Sequence, residues 1–211
     1  MANTLLLQGP VGPFFRSLAR ELRARGDTVT QVAQNGGDWL FAEAAARLAF
    51  RGRDHEWEPW LRREIRARGI DRVILFGDCR PRHRRALTVC RALDVPVWVC
   101  EEGYLRPMYL TLERDGVNGF SALPRDPQAY RHAAVPPGVA EGTPFRWVMG
   151  KRVLTCIAYY LAAAWHRRRF PHYRHYRCMN LAREGLCWIR SAGRRIGYRR
   201  RDRRTAAWLR G

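Results

Sequence analysis

Lysine is almost absent from this sequence. Lys151 stands alone among 211 residues, so the net charge of +20 at neutral pH rests on arginine. A bias that general is consistent with genomic base composition, and no arginine is read as a ligand from its identity alone.

Long apolar runs are missing too. The longest, from Val153 to Trp165, falls short of the roughly 20 residues that span a bilayer. Near the start only Leu5 to Leu7 precede Gly9 and Pro10, with no basic residue ahead of them, so no secretory leader is expected. The six cysteines form no C-x-x-C pair and no His/Cys zinc spacing. Free thiols in a reducing cytoplasm are therefore expected, without a metal or other cofactor. G-x-G-x-x-G and Walker A loops are also absent, which removes the two commonest phosphate-loop signatures.

What is present describes a globular chain, 46% apolar and rich in aromatics, long enough for one large domain or a domain and a half. Its charge is uneven. Residues 1 to 145 hold 21 Arg and 17 Asp or Glu, whereas residues 146 to 211 hold 18 Lys or Arg against only Glu184 and Asp202. The composition breaks at the Pro-rich stretch 134–145, "AVPPGVAEGTPF", which reads as a linker. The expected organisation is an α/β domain over 1–133, that linker, and a basic, amphipathic helical segment over 146–211 that faces something anionic.

Strand and helix signals alternate along the first part. "TLLLQ" (4–8), "DTVTQVAQ" (27–34), "DRVILFG" (71–77), "VPVWVCEE" (95–102) and "YLTLE" (109–113) read as strands. Helices are expected from Phe14 to Gly26, from a cap at Asp38 to about Phe50, over 58–69 and over 80–93, with a turn at "VNGF" (117–120). The alternation predicts a Rossmann-like parallel sheet with helices on both faces. Ligands of such sheets sit at the carboxyl ends of the strands.

Three strand ends carry chemistry. The first, "QGPVGPFF", offers Gln8 and the flexible Gly9 and Gly12 before a helix N-terminus, and it reads equally as a tight turn. The second, "FGDCRPRH", sets Asp78 just past a strand and Arg80 and His83 in the first turn of a helix. Asp78 has two readings there, a helix cap or a carboxylate at the sheet's mouth. Cations in a first helical turn oppose the helix dipole and suit an anionic substrate. The third, "EEGYLRP", brings Glu101, Glu102 and Arg106. Neighbouring strands lie about 4.8 Å apart, so carboxylates from the second and third ends can meet one sugar carbon, as retaining glycosyl chemistry requires.

Five blocks, "LLLQGPVGPFF", "NGGDW", "FGDCRPRHRRA", "EEGYLRPMYLTLERDGVNGFSALPRD" and "RRRFPHYRHYR", occur in an order that resembles the bacterial capsule polysaccharide biosynthesis/export family of the KpsS/LipB type. The resemblance implies the N-terminal half of a GT-B-type glycosyltransferase that uses CMP-Kdo to place the first β-Kdo on a phosphatidylglycerol-type lipid. It implies Asp78, Glu102 and His83 as catalytic, and Gln8, Gly9, Gly12, Asp38, Arg80, Glu101, Arg106 and Asn118 as substrate-binding. A sister group carries Glu-Asp-Gly-Phe where this chain has Glu101-Glu102-Gly103-Tyr104, which favours Glu102 without dividing nucleophile from acid or base. Such proteins are about twice this length, so a second, CMP-binding half is expected to be missing and donor binding by this chain to be poor.

A cytoplasmic protein, peripheral on the inner membrane and near other capsule assembly proteins, follows as an expectation. Arg167, Arg168 and Arg169, at the end of an apolar helix, are the candidate contacts to an anionic leaflet or to another domain. Two alternatives stand beside this reading. A non-catalytic export or assembly subunit would keep the fold without the chemistry. A nucleic-acid-binding protein would use the basic tail but leave the paired carboxylates without a role.

Overall fold

A computed structural model describes residues 1–43, 47–103, 109–131, 148–175 and 181–208. The linker expected over 134–145 and the candidate Arg106 lie outside the described residues. The chain divides into two compact units, Met1–Tyr173 and Arg174–Gly211.

The first unit is built on six strands: β1 (Asn3–Leu6), β2 (Thr28–Ala33), β3 (Arg47–Ala49), β4 (Arg72–Phe76), β5 (Val97–Glu102) and β6 (Leu110–Arg114). Their order in the sheet is β3-β2-β1-β4-β5-β6. All neighbours run parallel except β6, which pairs antiparallel with β5. The chain winds outward from β1 to β3, then returns to start again at β4 on the other side of β1. The sheet is therefore doubly wound, as in Rossmann-like folds, and its direction switches between β1 and β4.

Alternating side chains divide the core into two layers. Leu5, Leu7, Val73, Leu75, Val97 and Val99 face one side, where they meet Trp57, Leu61 and Ile65 of α3 (Trp57–Ala67) and Ala86, Val89 and Cys90 of α4 (Pro81–Arg91). Leu6, Ile74, Phe76 and Cys100 face the other, against Phe15 and Ala19 of α1 (Phe14–Ala24). Helices thus cover both faces, as the alternation implied.

The second helix is where local preference misleads. Helix α2 covers only Gly36–Phe41, and Arg47–Ala49 pair with Gln31–Ala33 as the edge strand β3. The expected helix to Phe50 gives way because edge pairing of Arg47–Ala49 overrides the helical propensity of the Ala-rich sequence before it. The cap differs as well. Asn35 accepts from the N–H groups of Gly37 and Asp38 at 2.7 and 3.0 Å, so Asp38 is free of capping and turns inward.

Gly36 and Gly37 have a packing reason. Helix α5 (Val148–Trp165) crosses α2 so closely that a Cβ on Gly36 would collide with the Ala162 carbonyl, and one on Gly37 with the Tyr159 ring. Tyr159 is the buried tyrosine of α5, whereas Leu154, Ile157, Leu161 and Trp165 are exposed along its far side. Among the described residues, no helix is long and apolar enough to cross a membrane. The second unit contains α6 (Leu181–Trp208), all of whose described side chains are exposed.

Candidate functional site

The switch point brings together the carboxyl ends of β1, β4 and β5. Leu7 N–H donates to the Ile74 carbonyl at 2.9 Å, and Gly77 N–H to the Cys100 carbonyl at 2.8 Å. These bonds carry the pairing of β1, β4 and β5 to the ends of the strands. Phe76 faces Cys100 in the register, so Gly77-Asp78, just past β4, follow the line of Glu101-Glu102, the last residues of β5, which still pair with Thr111 and Leu110 of β6.

Gly77 is the pivot. Its φ of +73° lies in the left-handed region that glycine adopts without strain. A Cβ there would stand 3.3 Å from Glu101 Oε2 and 3.9 Å from Arg80 Nε, so a carboxylate and a guanidinium converge on this one turn. Arg80 Nη1 also donates to the carbonyls of Gln8 and Gly9 at 3.2 and 3.0 Å. One side chain therefore fastens the β4 loop to the β1 loop.

Asp78 is not the side-chain cap of α4 but a buried carboxylate just past β4. Arg80 precedes α4 without a side-chain cap bond, and Asp78 is only 4% exposed. Its Oδ2 accepts the Val117 N–H at 3.0 Å and its Oδ1 the Cys79 thiol at 3.3 Å. The first bond anchors the turn after β6, where exposed Asn118 adopts φ +55°. The second raises the Cys79 pKa and keeps it a thiol.

His83 is fully buried, with Nδ1 at 2.7 Å from the Gly77 carbonyl. Burial, aided by the Arg80 charge, lowers its pKa to about 3, so it is a neutral imidazole that donates to Gly77. Its Nε2 is enclosed without a hydrogen-bond partner. Glu101 is half-buried and accepts the Glu102 N–H at 3.0 Å, while Glu102 is exposed and pairs with Arg152 of α5 at 3.2 Å. Of the candidate carboxylates, these two reach solvent at the mouth of the sheet.

Beside them lies a buried polar cluster. Gln8 Nε2 donates to Asp38 Oδ2 at 2.9 Å and to the Tyr173 hydroxyl at 3.2 Å. Asp38 further accepts Tyr159 Oη–H at 2.6 Å and Gln34 N–H at 3.0 Å, and Asn35 Nδ2 donates to the Tyr159 oxygen at 2.8 Å. Burial raises the pKa of Asp38, against the opposing pull of these donors, and burial carries Tyr173 up to about 12. The cluster ties the first two strand-end loops to α5. Sequence reasoning found Gln8 and Asp38 but missed Asn35, Tyr159 and Tyr173; the "NGGDW" and "FPHYRHYR" blocks held the signal.

Gly9 and Gly12 serve close packing. A Cβ on Gly9 would press on the Phe15 ring, and Gly12, at φ +115°, lies against Thr155 of α5. Arg167 and Arg168 are exposed, whereas Arg169 stacks over Trp39 at 3.8 Å. Among the described residues no group of three His, Cys, Asp or Glu could hold a metal ion.

Known proteins share much of this sequence. The chain is 39% identical over 197 residues to the capsule polysaccharide export protein KpsS of Escherichia coli, covering 92% of this chain and 50% of KpsS. It is 36% identical over 203 residues to the capsule polysaccharide modification protein LipB of Neisseria meningitidis serogroups A and B, covering 93% of this chain and 48% of LipB. The chain thus spans about half the length of the curated relatives it matches. The family described as "Capsule polysaccharide biosynthesis protein" matches residues 71–210. Because that match begins at β4, the strand that opens the switch point, and runs through α6, the chain belongs to the capsule polysaccharide biosynthesis protein family.

Proposed function

We propose that this chain carries the acceptor-side and catalytic groups of a retaining glycosyl transfer in capsule biosynthesis, with CMP-Kdo as donor and a phosphatidylglycerol-type lipid as acceptor. The observation that supports this reading is the register of β4 on β5, in which Asp78, two residues past Phe76, falls level with Glu102, two residues past Cys100. In a double displacement, one carboxylate attacks the anomeric carbon as CMP departs, forming a sugar ester. The acceptor hydroxyl then loses its proton to the second carboxylate and displaces the ester, which frees the first carboxylate, and the second passes its proton to water.

Exposed Glu102 is the accessible member of the pair, and its partner Arg152 screens it until substrate arrives. Glu101 and Arg80 flank the Gly77 turn, where a carboxylate and a guanidinium suit sugar hydroxyls and an anionic group. Neutral His83 acts through Gly77 as a positioning residue. Asn118 and Arg106 stay candidates for substrate contact. The GT-B arrangement and a peripheral place on the inner membrane complete the proposal, with exposed Arg167 and Arg168 beside the apolar outer side of α5 as the lipid contact.

The test is transfer itself. The chain is incubated with CMP-Kdo and phosphatidylglycerol vesicles, and Kdo-lipid is measured by mass spectrometry. Product from the wild-type chain and none from Glu102→Gln is the expected result. No product from wild type, or product from both Glu102→Gln and Asp78→Asn, contradicts the reading.

A second reading, a non-catalytic assembly subunit, has one observation in its favour. Asp78 and His83 are both buried and committed to holding loops.

A further inference from the structure

Strand β6 ends the sheet, and among the described residues nothing pairs with its outer edge. Asp115 N–H donates to the Val97 carbonyl and Gly103 N–H to the Tyr109 carbonyl, both at 2.9 Å, so the odd-numbered residues of this strand hold the bonds to β5. The alternation of an antiparallel ladder then turns the N–H and C=O groups of Leu110, Leu112 and Arg114 outward. Their side chains share one face of the sheet, where Leu110 and Leu112 are 47% and 54% exposed and Arg114 is exposed beside them. On the other face Glu113 accepts the Ser121 hydroxyl with Oε2, while its Oε1 is enclosed without a hydrogen-bond partner. An apolar, unpaired edge of this kind is a template for another strand.

We infer that this edge is a dimer interface, in which β6 of a second copy pairs antiparallel with β6 about a two-fold axis at Leu112. That register uses all five residues. Leu112 meets Leu112 and exchanges both backbone bonds with it, Leu110 meets Arg114, and Thr111 meets Glu113 in the closer, non-hydrogen-bonded pair, where its hydroxyl is placed to donate to Oε1. Charge complementarity acts along the same register. Glu102 pairs with Leu110, so one row on the exposed face runs Glu102, Leu110 and Arg114 of the second copy, about 10 Å across two strand spacings. The arginine stem leans over Leu110 toward Glu102, and the symmetry makes this contact twice. A shift of two residues in one direction sets Glu113 against Glu113, which like charges disfavour, and in the other it leaves Arg114 past the end of the strand. The charge excess of the chain lies in residues 146–211, whereas Leu110–Asp115 hold one arginine against Glu113 and Asp115.

The inference needs no sugar transfer. It is tested by sedimentation equilibrium of the full chain. A concentration-dependent dimer, weakened at least about tenfold by Leu112→Lys, is the expected result, because the substitution sets two ammonium groups face to face on the axis. The side chain is half exposed, and an unchanged circular dichroism spectrum verifies folding of the variant.

Oxidation reads the register directly. Leu112→Cys places two thiols on the axis with Cα atoms about 5.5 Å apart, within disulfide reach, whereas Leu110→Cys holds them about 14 Å apart. A 112–112 linked peptide without a 110–110 counterpart is expected, and peptide mapping distinguishes it from any link through exposed Cys79 or Cys187. A wild-type chain that stays monomeric, as an edge reserved for another protein would, overturns the inference. So does a dimer that survives Leu112→Lys, or one that links at position 110. Lost transfer with an intact, β6-dependent dimer contradicts the transfer reading alone.

Discussion

The Tyr159 hydroxyl donates to Asp38 Oδ1 at 2.6 Å, joining α5 to α2, just past β2, through a buried carboxylate. The same hydroxyl accepts from Asn35 Nδ2 at 2.8 Å. Tyr159→Phe leaves both partners buried with one bond fewer, so a loss of about 1–3 kcal/mol is expected. Urea unfolding of the two chains measures it. An unchanged midpoint would mean that the cluster does not hold α5.

Gly36 allows a test by sign. At an unhindered helical position alanine is favoured over glycine by about 1 kcal/mol. Gly36→Ala drives a methyl into the Ala162 carbonyl, and overpacking of this kind costs about 1–3 kcal/mol. Gly193→Ala in α6 meets nothing within 4 Å and serves as the comparison. Thermal denaturation is expected to show Gly36→Ala destabilised and Gly193→Ala neutral or slightly stabilised.

Burial holds folded His83 at about 3, below its ordinary 6.5. Below pH 6.5 the unfolded chain takes up a proton that the folded chain refuses. The contribution of neutral His83 is complete above pH 6.5 and is lost toward pH 3, at up to about 1.4 kcal/mol per pH unit. His83→Gln removes that loss. Asp38 acts in the opposite direction, since its raised pKa favours the folded chain at low pH, but it is common to both chains and cancels in the comparison. Stability measured from pH 7 to 4.5 is expected to fall more steeply in wild type than in His83→Gln.

The alternation of apolar runs and capped helices made the central strands readable, because β1, β4 and β5 are buried on both faces and their helices carry plain stop signals. Strand β3 was not readable, since its Ala-rich flank favours a helix and only pairing with Gln31–Ala33 makes it a strand. Position at the strand ends identified Asp78, but its partner Val117 lies 39 residues away. The phase of α5 was ambiguous for a similar reason. Its apolar residues occupy most of the circumference, and the glycines of α2 decide that Tyr159 is the one enclosed.

Asp78 has a structural duty that separates from its proposed chemistry. Asp78→Ala strips the acceptor from the Val117 N–H and is expected to cost about 1–3 kcal/mol, with faster hydrogen exchange at that amide. Asp78→Asn retains an acceptor oxygen and is expected to keep more of the protection. Equal exchange in all three chains would detach Asp78 from the turn after β6.

The central claim is that a carboxylate at the β4 or β5 end forms a sugar ester. The most direct measurement is peptide mass mapping of the chain after incubation with CMP-Kdo in the absence of acceptor. A Kdo adduct on the peptide holding Asp78, or on the one holding Glu101 and Glu102, is the expected result. An adduct on any other peptide, or none at all, contradicts the claim.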